Sequence, residues 1–335
     1  METAERSGLT LSVIMATVLL AACAGPASAP SPIADNPAAE PVIASVIDPE
    51  PPLPPAEPLI VADAKPIPQC STEATQGGAI VCRAPPGAVL SLDGNPVALT
   101  DKDGWAVIGL SRTQKTPAIV SLDLDTEDGI FPVAVTVPVL MRTDTVAKLT
   151  MECNKISAQS PAEKRHAEAS WVKKDKALKT FANAAAPMGM IKPAEGPYSS
   201  PFGAVRTYMP KTKDCEGSTS VHNGQDIAVA TGTEIHAPMA GTVLLADPDL
   251  YYEGGAVFLD HGYGLVSVMM HMSRIDVADG QVVQQGDVLG LSGSTGRVTG
   301  PHLHWAIKFR NVTSDDGGTD IWLDPVLMMG LALPQ

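Results

Sequence analysis

The chain has 335 residues, a formal net charge of −14, 44% hydrophobic residues and 4% aromatic residues. That length holds two domains with segments to spare. The acidic balance excludes a nucleic-acid partner, which demands clustered Lys and Arg, and no glycine motif of the phosphate-cradling kinds occurs.

Residues 1–23 open with a polar stretch, then run apolar from Leu9 to Ala22 and end Leu20-Ala21-Ala22-Cys23. The run is short for a membrane span and suits the core of a signal peptide. The L-A-A-C ending resembles a bacterial lipoprotein signal. That resemblance implies an exported protein, lipidated at Cys23 and held to a membrane. Ala24, where Asp would signal inner-membrane retention, implies the outer membrane, facing the periplasm. Arg6 is the one basic residue before the core, opposed by Glu2 and Glu5, which departs from the pattern. An ordinary secretory signal with an incidental Cys is the other reading. Residues 24–69 are rich in Pro and Ala and predict an extended, unfolded tether.

From residue 70 to 153 short alternating runs follow one another: 88–92, 105–108, 118–122 and 133–137, separated by Asp, Gly and Pro. Asp93-Gly94 is a hairpin dipeptide. Strands at this spacing predict a small β-sandwich. It holds no histidine and no acidic cluster, so a spacer or binding role is its default. Of five cysteines, four remain after Cys23: Cys70, Cys82, Cys153 and Cys215. An even count in an exported chain predicts disulfides. Cys70 with Cys82 is the local pair, and Cys153 with Cys215 follows by elimination.

Ser160-Pro161-Ala162-Glu163 reads as a capping box with Pro at the first helical position. It predicts a linker helix, within 154–186, running to about Ala185. Trp171, Leu178, Phe181 and Ala182 would form its apolar stripe, with Lys173, Lys174, Lys176 and Lys179 on a solvated face.

The remainder, 187–335, has β-branched runs broken by Gly, which predicts antiparallel sheet. Runs 257–260 and 265–270 flank the turn His261-Gly262-Tyr263-Gly264 and predict a hairpin ending at His271. Two patterns carry chemistry. In Pro301-His302-Leu303-His304-Trp305 the alternation of an extended chain puts both histidines on one face and Leu303 and Trp305 on the other. In His222-Asn223-Gly224-Gln225-Asp226 an even spacing again aligns two ligand-type side chains. Catalytic zinc sites use three N or O ligands and leave a position open, and His222, Asp226 and one late histidine supply such a set.

H-x-x-x-D, H-x-H and the run STGRVTGPHLHW together resemble the lysostaphin/LytM-type zinc metallopeptidases that cut peptidoglycan. The resemblance spans about 190–330. Ser200-Pro201-Phe202-Gly203 is similar to that family's opening turn, TGTEIHAPMAGTV to its next hairpin, His271-Met272-Ser273-Arg274 to a later block, and Asp324-Pro325 to its closing turn. It implies a mainly β fold, with an antiparallel catalytic domain preceded by the small β-sandwich and the linker helix.

The resemblance also implies one zinc per chain, held by His222, Asp226 and His304, with His302 as general base and His271 orienting water or the oxyanion. The implied activity is that of a zinc endopeptidase acting on peptidoglycan cross-links, at a D-alanyl–diaminopimelate type bond. Two other readings stand beside it: a LytM-like domain that binds and activates a cell-wall amidase as a regulatory protein partner, and a passive wall anchor. The family often has Phe-Glu after H-x-H, where this chain has Trp305-Ala306, a difference on the site face. His166, His236 and His261 read as structural or solvated.

Overall fold

The computed structural model describes residues 68–126, 128–182, 189–314 and 321–331. The signal segment, Cys23 and the Pro/Ala-rich stretch up to residue 67 lie outside the described residues, as do residues 315–320.

The first part is a β-sandwich, as expected. One sheet pairs Gln69–Cys70, Ala79–Arg83 and Trp105–Gly109, and the other orders Asn95–Leu99, Val89–Leu92, Ala118–Thr126 and Gly129–Val137. Both bury one face into a common core that includes Ile80, Leu90, Ile108, Val120 and Val137. Cys70 and Cys82 lie directly opposite each other on paired strands and are disulfide-bonded. Cys153 and Cys215 form the second disulfide. The strand Val146–Met151, in a stretch expected to belong to the sandwich, instead pairs in parallel with Val205–Pro210, which pairs in turn with Ser218–Val221. Parallel pairing needs a long crossover, and the helix lies within that crossover.

The second part is built on an antiparallel sheet. Its order is Tyr198–Ser200, Gln225–Ile227, Leu303–Phe309, Leu265–Met272, Gly254–Asp260, Gly241–Leu250 and Val282–Val283. Ile321–Leu323 adds to the same edge of Leu303–Phe309 as Gln225–Ile227, farther along it. The central strands are buried on both faces. Val257, Leu259, Trp305 and Ile307 enter one core, whereas Ala256, Phe258, Val268 and Ala306 enter another on the opposite face. Two covered faces explain why these runs read as continuously apolar.

The helix Pro161–Leu178 begins as its sequence predicts. Ser160 Oγ accepts from the Glu163 N–H at 3.2 Å, and the Glu163 carboxylate accepts from the Ser160 N–H at 2.8 Å. It ends at Leu178, short of Ala185. Its buried face is also not the expected stripe: Ser170 and Ala177 are buried, while Trp171 is 61% exposed. The helix packs on Gly241–Leu250, with Lys173 paired to Asp247 at 2.6 Å and Lys174 to Glu253. Two lysines expected on a solvated face are therefore ion-paired to the catalytic sheet. Among the described residues no helix is long and apolar enough to cross a membrane.

Candidate active site

Asp226 and His304 face each other across the sheet. Gln225–Ile227 pairs antiparallel with Leu303–Phe309, and these two residues are direct partners in the ladder. Cβ atoms so placed lie about 5 Å apart, so the pairing itself brings carboxylate to imidazole. His222 arrives differently from the expected continuous strand. The strand Ser218–Val221 ends before it, and the next begins at Gln225. In the break, Gly224 passes so close to His304 that an added Cβ would stand 2.6 Å from its Nε2 and from the Trp305 carbonyl. A side chain there would displace a site residue.

His222 Nε2, Asp226 Oδ1 and His304 Nδ1 converge: 2.9 Å between the two nitrogens, 3.0 Å from Oδ1 to His222 and 2.9 Å from Oδ1 to His304. His222 Nδ1 donates to the Pro201 carbonyl at 2.8 Å, which leaves the Nε2 lone pair directed into the cluster. Three donor atoms of the N and O types that zinc takes, packed this tightly, fit a divalent metal with one carboxylate and two imidazoles. The other carboxylate oxygen, Asp226 Oδ2, accepts from Arg206 Nη2 at 2.6 Å, and the same nitrogen donates to Ser200 Oγ at 2.7 Å. Arg206 was not singled out from the sequence. Its strand belongs to a different sheet, and the signal available was its place three residues after the Ser200–Gly203 turn.

His302 and His271 join the cluster. His302 Nε2 lies 3.7 Å from Asp226 Oδ1, and its Nδ1 donates to the Gly300 carbonyl at 2.8 Å. His271 Nδ1 donates to the Thr295 carbonyl at 2.9 Å, and the His271 ring centroid lies 4.9 Å from that of His302 and 6.0 Å from that of His304. In both rings the δ proton is committed to a backbone carbonyl, so Nε2 is free to accept. His271 adopts φ +67° at a register shift in its strand, a left-handed conformation costly for a residue with a Cβ. The irregularity lets this side chain leave the ladder alternation.

Burial lowers the pKa of His271 well below the ordinary value, and the neighbouring His304 and His302 lower it further. Burial also lowers His304, to about 4. Burial would raise Asp226, but hydrogen bonds with His222 and His304 outweigh it and hold the carboxyl well below its usual range. At neutral pH His304 is therefore neutral and Asp226 ionised, the protonation state metal ligands require. A groove of about 870 Å³ opens over it, with Trp171 of the helix and Tyr208 among the residues of its walls.

The other histidines are structural. His166 Nε2 bonds the Asp249 carbonyl at 2.7 Å and His236 Nδ1 bonds that of Gly286 at 3.0 Å. His261 is fully buried between the Ala240 carbonyl and Ser267 Oγ.

The model of peptidase family M23 matches residues 220–316. Peptidoglycan DD-endopeptidase ShyA of Vibrio cholerae is 42% identical over 89 residues, which are 27% of this chain and 20% of that protein. DD-carboxypeptidase/endopeptidase Mpg of Neisseria meningitidis is 39% identical over 88 residues, 26% of this chain and 20% of the relative. The match thus spans about a fifth of each curated relative's length. A crystal structure from Pseudomonas aeruginosa assigned to peptidase M23 superposes with a TM-score of 0.53 at 30% identity, covering 76% of this chain and 95% of the other. With nearly all of that structure covered, and all five clustered residues inside the family match, the chain belongs to peptidase family M23.

Proposed function

We propose that this protein is a zinc-dependent endopeptidase that hydrolyses peptide cross-links of peptidoglycan, at bonds of the D-alanyl–diaminopimelate type, while tethered to a membrane through Cys23. The observation that carries the reading is the arrangement of five side chains. Three converge as a ligand set, and two more offer free Nε2 atoms beside it. The name of the ShyA relative, a peptidoglycan DD-endopeptidase, supports the substrate.

His222, Asp226 and His304 would hold the zinc. When bound, it supplies Lewis acidity that polarises a carbonyl and acidifies water. Asp226 offsets part of the metal charge, and Arg206 keeps its second oxygen turned away. His302 Nε2 takes a proton from the attacking water and delivers it to the leaving amine, and such a base contributes about 10²- to 10⁴-fold. His271, neutral by burial, orients the water or the developing oxyanion through its Nε2.

The test compares the metal content and sacculus digestion of wild type, His304→Ala and His302→Ala. His304→Ala should lose zinc and digestion together. His302→Ala should keep zinc and lose digestion, because the ligand set is intact. If the metal contents are reversed, the two roles are exchanged. Wild type that binds no zinc, digests nothing alone and stimulates an amidase would replace the enzyme by the regulatory reading.

A further inference from the structure

The groove contains a cation that catalysis as described does not use. Arg297 lies in the loop ahead of His302, with its Cζ 5.1 Å from the ring centroid of Tyr208 and 5.0 Å from that of Tyr252. Among the described residues its guanidinium forms no hydrogen bond or ion pair. The neighbouring cations differ: Arg206 is bonded to Asp226, Lys174 to Glu253 and Lys179 to Asp175. A guanidinium packed through its faces against aromatic rings keeps its in-plane N–H groups for a carboxylate, which it binds with two parallel hydrogen bonds.

We propose that Arg297 binds a free carboxylate of the substrate next to the scissile amide, and so makes the enzyme selective for cross-links in which that carboxylate is unblocked. The substrate class rests on the endopeptidase reading above. In a D-alanyl–diaminopimelate cross-link the carbon carrying the amide nitrogen also carries a free carboxylate. That group must therefore lie within a few bonds of the reacting centre.

Arg297 is tied to that centre from two sides. Tyr208 follows Arg206 by two residues on the strand Val205–Pro210, so both project from one face about 7 Å apart, and Arg206 holds Asp226. Thr295, two residues before Arg297, accepts from His271. The platform is rigid. Tyr208 is 5% exposed and packs with Met151 and Ile156, beside the Cys153–Cys215 disulfide. The Arg297 N–H donates to the Tyr252 carbonyl at 2.8 Å, and Tyr252 Oη accepts from the Ala158 N–H at 3.3 Å. The residue is held while its charged edge stays open, which is the pre-organisation that specificity needs.

Two synthetic cross-linked peptides, identical except that one carries a carboxylate and the other a carboxamide at that carbon, test the proposal on the purified, zinc-loaded protein. Turnover is measured on both. Binding is measured by calorimetry on non-hydrolysable versions N-methylated at the scissile amide. Wild type should favour the acid by about 10- to 100-fold, the scale of one charge-assisted hydrogen-bonded pair. Arg297→Gln should bring the ratio close to one, mainly through KM, and Arg297→Lys, which keeps the charge without the fork, should retain part of it. A ratio unchanged in Arg297→Gln, or equal losses on both peptides, would make Arg297 a strut between the two tyrosines and overturn the proposal. Wild type that cleaves both peptides without preference also overturns it while leaving the endopeptidase intact. Wild type that binds the acid selectively but cleaves neither peptide removes the endopeptidase reading and upholds carboxylate binding.

Discussion

Asp226 shows how one residue is specified from several directions. Its Oδ1 faces two imidazoles at about 3 Å and its Oδ2 is taken by Arg206. Without the arginine the carboxylate could rotate and present either oxygen. Arg206→Met should therefore weaken metal binding by about 10- to 100-fold, the usual cost of losing a partner behind a ligand. Competition with a chromophoric chelator measures this, and unchanged affinity would show that the ladder alone orients Asp226. Arg206→Lys, with one point of contact instead of a fork, should fall between. Ala306 illustrates a different effect. It occupies the site-facing position where the family often has Glu, and it is fully buried in the core that also holds Ala177 of the helix, with Leu178 packed against it. A carboxylate there would lie under the helix without room or partner.

The hairpin Gly254–Asp260 and Leu265–Met272 carries both the core and a titration. His261, in its turn, is neutral and fully buried, with Nδ1–H donating to the Ala240 carbonyl at 2.9 Å and Nε2 accepting from Ser267 Oγ at 2.7 Å. Burial lowers its pKa from 6.5 to about 4. The unfolded chain then binds a proton that the folded one refuses, so stability is full above about pH 6.5 and declines as pH falls towards 4. A shift of this size corresponds to about 3 kcal/mol. Thermal melts across that range should show the decline, and His261→Gln should make it shallower, leaving the part that the buried His304 and His271 contribute in the same direction. A parallel slope in both proteins would assign the acid sensitivity elsewhere. The helix makes a second point at this scale. Its start was legible because capping is local, but its buried face was not. Lys173 finds Asp247 on a strand and Lys174 finds Glu253 in the turn that follows it, both more than seventy residues later in the sequence, which no helical periodicity reports.

At the scale of the molecule the sandwich is packed against the peptidase domain. Arg142 donates to the carbonyls of Gln76 and Phe202, pairs with Asp144 at 2.6 Å and with Asp324 at 3.3 Å, and lies over the Phe202 ring. Pro201, next to Phe202, supplies the carbonyl that orients His222. Tyr263 Oη donates to Asp101 at 2.6 Å, and Gly109 backs so closely on Phe309 that an added Cβ would collide with its ring. Arg142→Met leaves Asp324 without its cation and Asp144 with Arg112 alone, and should cost up to about 3 kcal/mol. It should also lower metal affinity by loosening the loop behind His222. Calorimetric unfolding and the chelator competition read the two effects, and a stability loss with metal affinity intact would confine the network to holding the domains together.

The sequence by itself determined what short-range rules govern. Strand alternation placed Leu303 and Trp305 in the core and His302 and His304 on the site face, local capping placed the helix start, and a short loop paired Cys70 with Cys82. Motif resemblance brought the five site residues onto one expected list, and the structure gathers them in one cluster. Only the tertiary structure decided the direct opposition of Asp226 and His304, the break at Gly224, the strand Val146–Met151 crossing over to Val205–Pro210, and the guanidinium groups of Arg206, Arg142 and Arg297. Sheet register and interdomain ion pairs join residues far apart in the chain. No local periodicity records those contacts, because the backbone that brings them together is shaped by the packing of everything between.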